Sequence, residues 1–256
     1  MTSSNTIVNN VTGASTVVLM VHGIAEAAHA MNEFVPAFER LGYSTAAITL
    51  PGHGGSMKDF AGASLSQWQE AVSQATDKLR SNYEHIILLG RSMGALLMLN
   101  ESARCSEKIK AVIAIATPLK VNVTCKAITN NIKIGFKVKT TSPDVLSMID
   151  KMGVEQGNWW QYASWLPRIA DLFRLISITK HQLPSITVPV LAIHCQHDEL
   201  VSPKSLTMLQ QRLACATAIT LPTSSHFHFS PADFTTLQLA IQKLQLDWQN
   251  FDTHFR

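Results

Sequence analysis

Charge is scarce in this chain. Charged residues make up 15% of its 256 positions, and 21 Lys and Arg against 18 Asp and Glu leave a formal charge of +3. The cations are scattered apart from Lys133, Lys137 and Lys139, so no basic footprint for nucleic acid exists. Cysteine is also sparse. Cys105, Cys125, Cys195 and Cys215 stand far apart with no C-x-x-C pair and no zinc-ligand spacing, which reads as reduced thiols, with no disulfide framework and no metal site. Long apolar runs are missing. The longest, 17–21 and 111–116, fall far short of a bilayer, so no integral membrane segment is expected. Residues 1–16 are polar, without the early basic cluster and apolar stretch of a signal peptide, and a cytoplasmic location is the default expectation.

What the chain does have lies at the ends of short apolar runs. Ile86-Ile87-Leu88-Leu89 leads into Gly90-Arg91-Ser92-Met93-Gly94, and an Ala/Leu/Met-rich segment of good helix propensity leaves it. The pattern is strand, sharp turn, helix. Such a turn holds Ser92 in a strained backbone conformation, and Gly90 and Gly94 lack the Cβ atoms that would clash where strand and helix close on each other. The hydroxyl then stands at the carboxyl end of a strand, above a helix N-terminus.

Around this stretch the chain alternates. Residues 16–21 suit a strand buried on both faces, ending in the tight turn His22-Gly23-Ile24. Helical spacing over 30–41 with Gly42 as its cap, a strand over 44–50, the glycine-rich 51–56, an amphipathic helix over 65–79 and a strand over 110–116 complete a pattern that builds a parallel sheet with helices on both faces. The alternation breaks between 119 and 184, where Trp159, Trp160, Tyr162, Trp165, Leu172, Phe173 and Leu175 gather. That segment is either a cap lining the cleft or a satellite core packed on itself. The sheet resumes at 188–194. A helix over 204–213, a strand over 218–221, a loop over 222–229 and a last helix over 232–248, with Trp248 on its apolar face, close the domain.

Three residues with complementary chemistry follow three of these strands. A serine hydroxyl attacks only if a base takes its proton, and the base must be held in one tautomer by a third group. Ser92, His226 and Asp198 fill these roles in the order Ser, Asp, His. His228 is a rival base and Glu199 a rival acid. The backbone N–H groups of Ile24 and Met93 are the expected oxyanion donors. His22, Trp159, Trp160 and Trp165 are the expected substrate-binding residues. Arg91 is expected at the surface or ion-paired, and His22 and His53 are expected to shape their loops by hydrogen bonding.

His22-Gly23-Ile24, Leu50-Pro51-Gly52-His53-Gly54, Gly90-Arg91-Ser92-Met93-Gly94, His197-Asp198-Glu199-Leu200-Val201 and Ser225-His226 together resemble the α/β-hydrolase superfamily, and within it the compact bacterial carboxylesterases and monoacylglycerol lipases. The chain departs from those relatives at Ala95 and Ser225, where they often carry glycine. The resemblance implies an α/β-hydrolase fold, a mostly parallel central sheet with helices on both faces and a small cap inserted after the sixth strand. It divides the chain into a core of 1–118 and 186–256 and a cap (lid) of 119–185.

The implied activity is that of a cofactor-independent serine carboxylester hydrolase on short- to medium-chain acyl esters, its partner a small apolar ester. Alternatives are a monoacylglycerol lipase, a thioesterase, C–C bond hydrolase or acyltransferase on the same triad, and a non-catalytic ligand-binding protein. An apolar cap face would serve a partner subunit, as in a homodimer, a lipid surface or a substrate equally well.

Overall fold

The computed structural model describes residues 6–136 and 138–254, without the side chains of 131, 135, 159 and 246–254. Lys137 and the Trp159 and Trp248 side chains therefore lie outside the described residues. The described strands are β1 (Thr6–Asn9), β2 (Thr16–Val21), β3 (Ser44–Ile48), β4 (His85–Arg91), β5 (Ile109–Ile115), β6 (Val190–Cys195) and β7 (Ala216–Leu221). They form one sheet in the order β1-β3-β2-β4-β5-β6-β7, parallel throughout except that β1 runs antiparallel to β3 at the edge.

The helices are α1 (Val35–Glu39), α2 (Met57–Gly62), α3 (Leu65–Asn82), α4 (Met93–Arg104), α5 (Cys125–Gly135), α6 (Pro143–Lys151), α7 (Leu166–Gln182), α8 (Lys204–Arg212) and α9 (Pro231–His254). Successive residues of a strand point to opposite faces, and the core follows that period of two. Val17, Leu19, Ile86 and Leu88 join Trp68 of α3, Leu96 of α4 and Leu175 of α7 on one side. Val18, Met20, Ile87 and Leu89 join Phe38 of α1 and Leu237 of α9 on the other.

Four sequence expectations are corrected. Strand β1 lies in the stretch read as polar lead-in, because an edge strand exposed at Thr6, Ile7 and Val8 has no buried alternation to reveal it. The helix expected over 30–41 is a 3-10 segment, Ala28–Phe34, followed by the short α1. Leu172, Leu175 and Ile176 of α7, with Tyr162 and Trp165, join the main core instead of a satellite one. Finally, the insertion expected after the sixth strand follows the fifth described one: 116–189 lies between β5 and β6. Among the described residues no helix is long and apolar enough to cross a membrane.

Candidate active site

The parallel strands bring their carboxyl ends to one edge, and there the elbow closes. Ser92, directly after β4, has φ +53° and ψ −120°, a conformation that L-residues rarely adopt. Its N–H donates to the Ile115 carbonyl at 2.9 Å, tying the turn to β5. A Cβ on Gly94 would penetrate the Val21 carbonyl and lie 2.6 Å from that of His22; a Cβ on Gly90 would penetrate the Gly94 backbone. Both positions need glycine for the contact expected from the sequence. Ala95 fits without exposure in the core.

Asp198 follows β6 and His226 follows β7. Asp198 Oδ2 and His226 Nδ1 are 2.8 Å apart, and both side chains are buried. Burial alone would push the imidazole pKa down, but the Asp198 carboxylate opposes this and holds it above 6.5. Burial would likewise raise the Asp198 carboxyl; the His226 ring and the N–H groups of Leu200 and Val201 hold it below its ordinary value. Both rivals bond backbone N–H groups of the His226 loop. Glu199 Oε2 takes the His226 backbone N–H at 3.2 Å, and the His228 carbonyl takes the Ser225 N–H at 2.9 Å.

The loop after β2 passes directly over the elbow: a Cβ on Gly23 would lie 3.2 Å from the Ser92 Cβ. Gly23 donates its N–H to Glu26 Oε2 at 2.7 Å, which fixes the residue before Ile24. Met93 opens α4, where first-turn N–H groups have no intrahelical acceptor.

His22 is fully buried, its Nδ1 2.7 Å from the Gly23 carbonyl and its Nε2 accepting the Leu50 N–H at 3.1 Å. That assigns the Nδ1–H tautomer. Burial lowers its pKa to about 4, so the ring is neutral and occupied by backbone on both sides. His53 packs on His22 at 4.8 Å and on Phe60 at 5.0 Å. Trp165 packs edge-on to Phe60 at 4.6 Å, and Trp160 is 58% exposed.

Arg91 is not a surface residue. It is fully buried with Nη2 2.5 Å from Glu26 Oε1, a pair the sequence shows only as two opposite charges 65 positions apart. A groove of about 850 Å³ lies to one side, lined by His29, His53, Lys58, Asp59, Gln67 and neighbours; Ser92, Asp198 and His226 are not among its walls. Ser92 itself is 9% exposed. Among the described residues no group of three or more His, Cys, Asp or Glu is placed to hold a metal ion.

A family model described as Serine aminopeptidase, S33, matches residues 12–229, from just before β2 to just beyond His226. The chain belongs to that family. As a member of S33 it has the α/β-hydrolase fold, and solved structures share it over nearly their whole length. A structure described as LipS and LipT, two metagenome-derived lipolytic enzymes, superposes with a TM-score of 0.72 at 18% identity, covering 94% of this chain and 96% of that one. A monoacylglycerol lipase of Paleococcus ferrophilus gives 0.70 at 17% identity over 96% and 99%. Est1E of Butyrivibrio proteoclasticus with bound ferulic acid gives 0.68 at 16% identity over 96% of both chains. At such identities the likeness is one of fold. No curated protein matches the sequence.

Proposed function

We propose that this S33-family chain is a serine carboxylester hydrolase acting on short- to medium-chain acyl esters of apolar acids. The observation that carries the reading is the buried His226–Asp198 pair on the same sheet edge as a strained, elbow-borne Ser92. Ser92 Oγ attacks the ester carbonyl while its proton passes to His226 Nε2, the ring nitrogen turned away from Asp198. The N–H groups of Ile24 and Met93 take the developing oxyanion, each donor contributing about 3 to 4 kcal/mol of transition-state stabilisation. Collapse expels the alcohol, protonated by His226, and water then repeats the sequence on the acyl-enzyme. Residues 119–185 act as the cap, with Trp165 as one wall of the acyl site.

Monoacylglycerols are the second reading, favoured by the outward apolar side chains of the cap, among them Ile128, Ile132, Phe136 and Trp160. A chain-length series of p-nitrophenyl esters and monoacylglycerols, run beside amino-acid p-nitroanilides, tests both. Ester turnover that vanishes in Ser92→Ala supports the esterase; turnover of anilides alone contradicts it.

A further inference from the structure

Helix α6 belongs to the insertion, yet one of its faces is turned to the candidate catalytic loops. Asp144, Ser147 and Lys151 recur at i, i+3 and i+7, on one stripe of the helix. All three bond the loop that carries His226. The Ser225 hydroxyl donates to Asp144 Oδ1 at 2.5 Å, and both the Ser147 hydroxyl and the Lys151 ammonium donate to the Phe227 carbonyl at 2.5 Å. The Lys151 Nζ is also 2.9 Å from Glu33 Oε1, which Arg91 Nη1 reaches at 3.4 Å. From Arg91 the connection continues to Glu26 and through it to the Gly23 N–H. One run of contacts thus links Phe227, the residue before Ser92 and the residue before Ile24, while Asp144 of the same helix holds Ser225.

The cluster is costly to bury. Arg91, Lys151 and Glu26 are 0%, 6% and 3% exposed. With Glu33 the four charges cancel, but ions taken from water lose several kcal/mol each before their partners compensate, and apolar residues of similar volume often do as well or better for stability. Burial, helped by the like charge of Arg91, holds the Lys151 ammonium below its usual range even with Glu33 beside it. Burial would raise the Glu26 carboxyl, and Arg91 and the Gly23 N–H hold it below its ordinary value. What an apolar cluster would not supply is direction. These bonds end on backbone groups of two loops that lie outside the sheet ladder.

We propose that Lys151 and Arg91 are positioning residues. With Glu26 and Glu33 they hold the His226 loop and the oxyanion loop in register with Ser92, so that seating of α6 against the core is a condition for turnover. The proposal rests on the serine-hydrolase reading of the same site.

The test compares Lys151→Met, which keeps the stem and removes the cation, with Lys151→Arg, which restores it, and with Ser147→Ala, which removes one donor to Phe227 from a half-buried position. In Lys151→Met, kcat for a p-nitrophenyl ester falls about 100-fold with KM within about twofold, as expected when reacting groups shift by about 1 Å. Lys151→Arg recovers most of the loss, and Ser147→Ala shows a smaller loss at unchanged Tm. The downfield proton resonance of His226 Nδ1–H, recorded without substrate, moves or broadens in Lys151→Met. Wild-type kcat with an unmoved resonance in folded Lys151→Met overturns the proposal, as does an equal loss in folded Lys151→Arg. If Lys151→Met does not fold, Ser147→Ala decides by the same readouts. A wild type that neither hydrolyses esters nor labels at Ser92 overturns the hydrolase reading instead, and the imidazole resonance still tests the positioning role.

Discussion

Asp198 uses its two oxygens for two different tasks: Oδ1 accepts the N–H groups of Leu200 and Val201 at 2.9 and 2.7 Å, and Oδ2 lies 2.8 Å from His226 Nδ1. The carboxylate is clamped by its own loop, and the ring is oriented by what remains. Asp198→Asn preserves the shape and presents an amide where the Nδ1–H needs an acceptor. Its expected outcome is a fall in kcat of about ten-thousand-fold with little change in the far-UV spectrum. Steady-state kinetics on a p-nitrophenyl ester checks it, and a loss under tenfold contradicts the role.

Glu199, next in the chain, takes the His226 backbone N–H instead of the ring. Glu199→Gln keeps an acceptor at that distance and is expected to retain activity within about tenfold of wild type. The contrast between neighbouring carboxylates separates orienting the ring from anchoring its backbone. Should Glu199→Gln lose as much as Asp198→Asn, the assignment of the acid is wrong.

The pH dependence of activity and that of stability should run in opposite directions. His226 has its folded pKa raised above 6.5, so the charged pair with Asp198 contributes stability that is fully present below pH 6.5 and is lost as pH rises through the raised value. The base, however, works only when neutral. Thus kcat/KM climbs with pH to a midpoint above 6.5 while the Tm contribution of the pair declines over the same window. Thermal melts and initial rates across that range check this, and Asp198→Asn should flatten the Tm trend. An acid limb centred below 6.5 contradicts the electrostatic assignment.

The elbow glycines give a stability prediction. In Gly94→Ala the new Cβ meets backbone that cannot yield, the Val21 and His22 carbonyls, and the variant should lose about 3 kcal/mol or more or fail to accumulate as folded protein. Gly62→Ala, with nothing within 4 Å of its Cβ, is the control and should melt near wild type. Equal melting of the two variants would contradict the packing described for the elbow.

The sheet and its loops were legible because β2, β4, β5 and β6 are buried on both faces and write themselves as unbroken apolar runs, with chemistry-bearing residues directly after them. Strand β1 was not, since its side chains face water. The position of Ser92 relative to its glycines was legible because the turn's steric demand is local. The pairing of Arg91 with Glu26, and of Lys151 with Glu33 and Phe227, depends on how a helix of the insertion docks, which leaves no periodic trace in sequence. For His22 the sequence allows both a substrate-binding and a loop-shaping role, and the backbone partners of its two nitrogens are set by the fold alone.

The proposed chemistry stands on Ser92 as a nucleophile activated by His226. Incubation with a fluorophosphonate probe, followed by peptide mapping by mass spectrometry, tests it most directly. The expected result is a single adduct on Ser92, formed rapidly in wild type, slowed by orders of magnitude in His226→Ala and absent in Ser92→Ala. Labelling of another residue, or labelling of Ser92 at the same rate in folded His226→Ala, would contradict it.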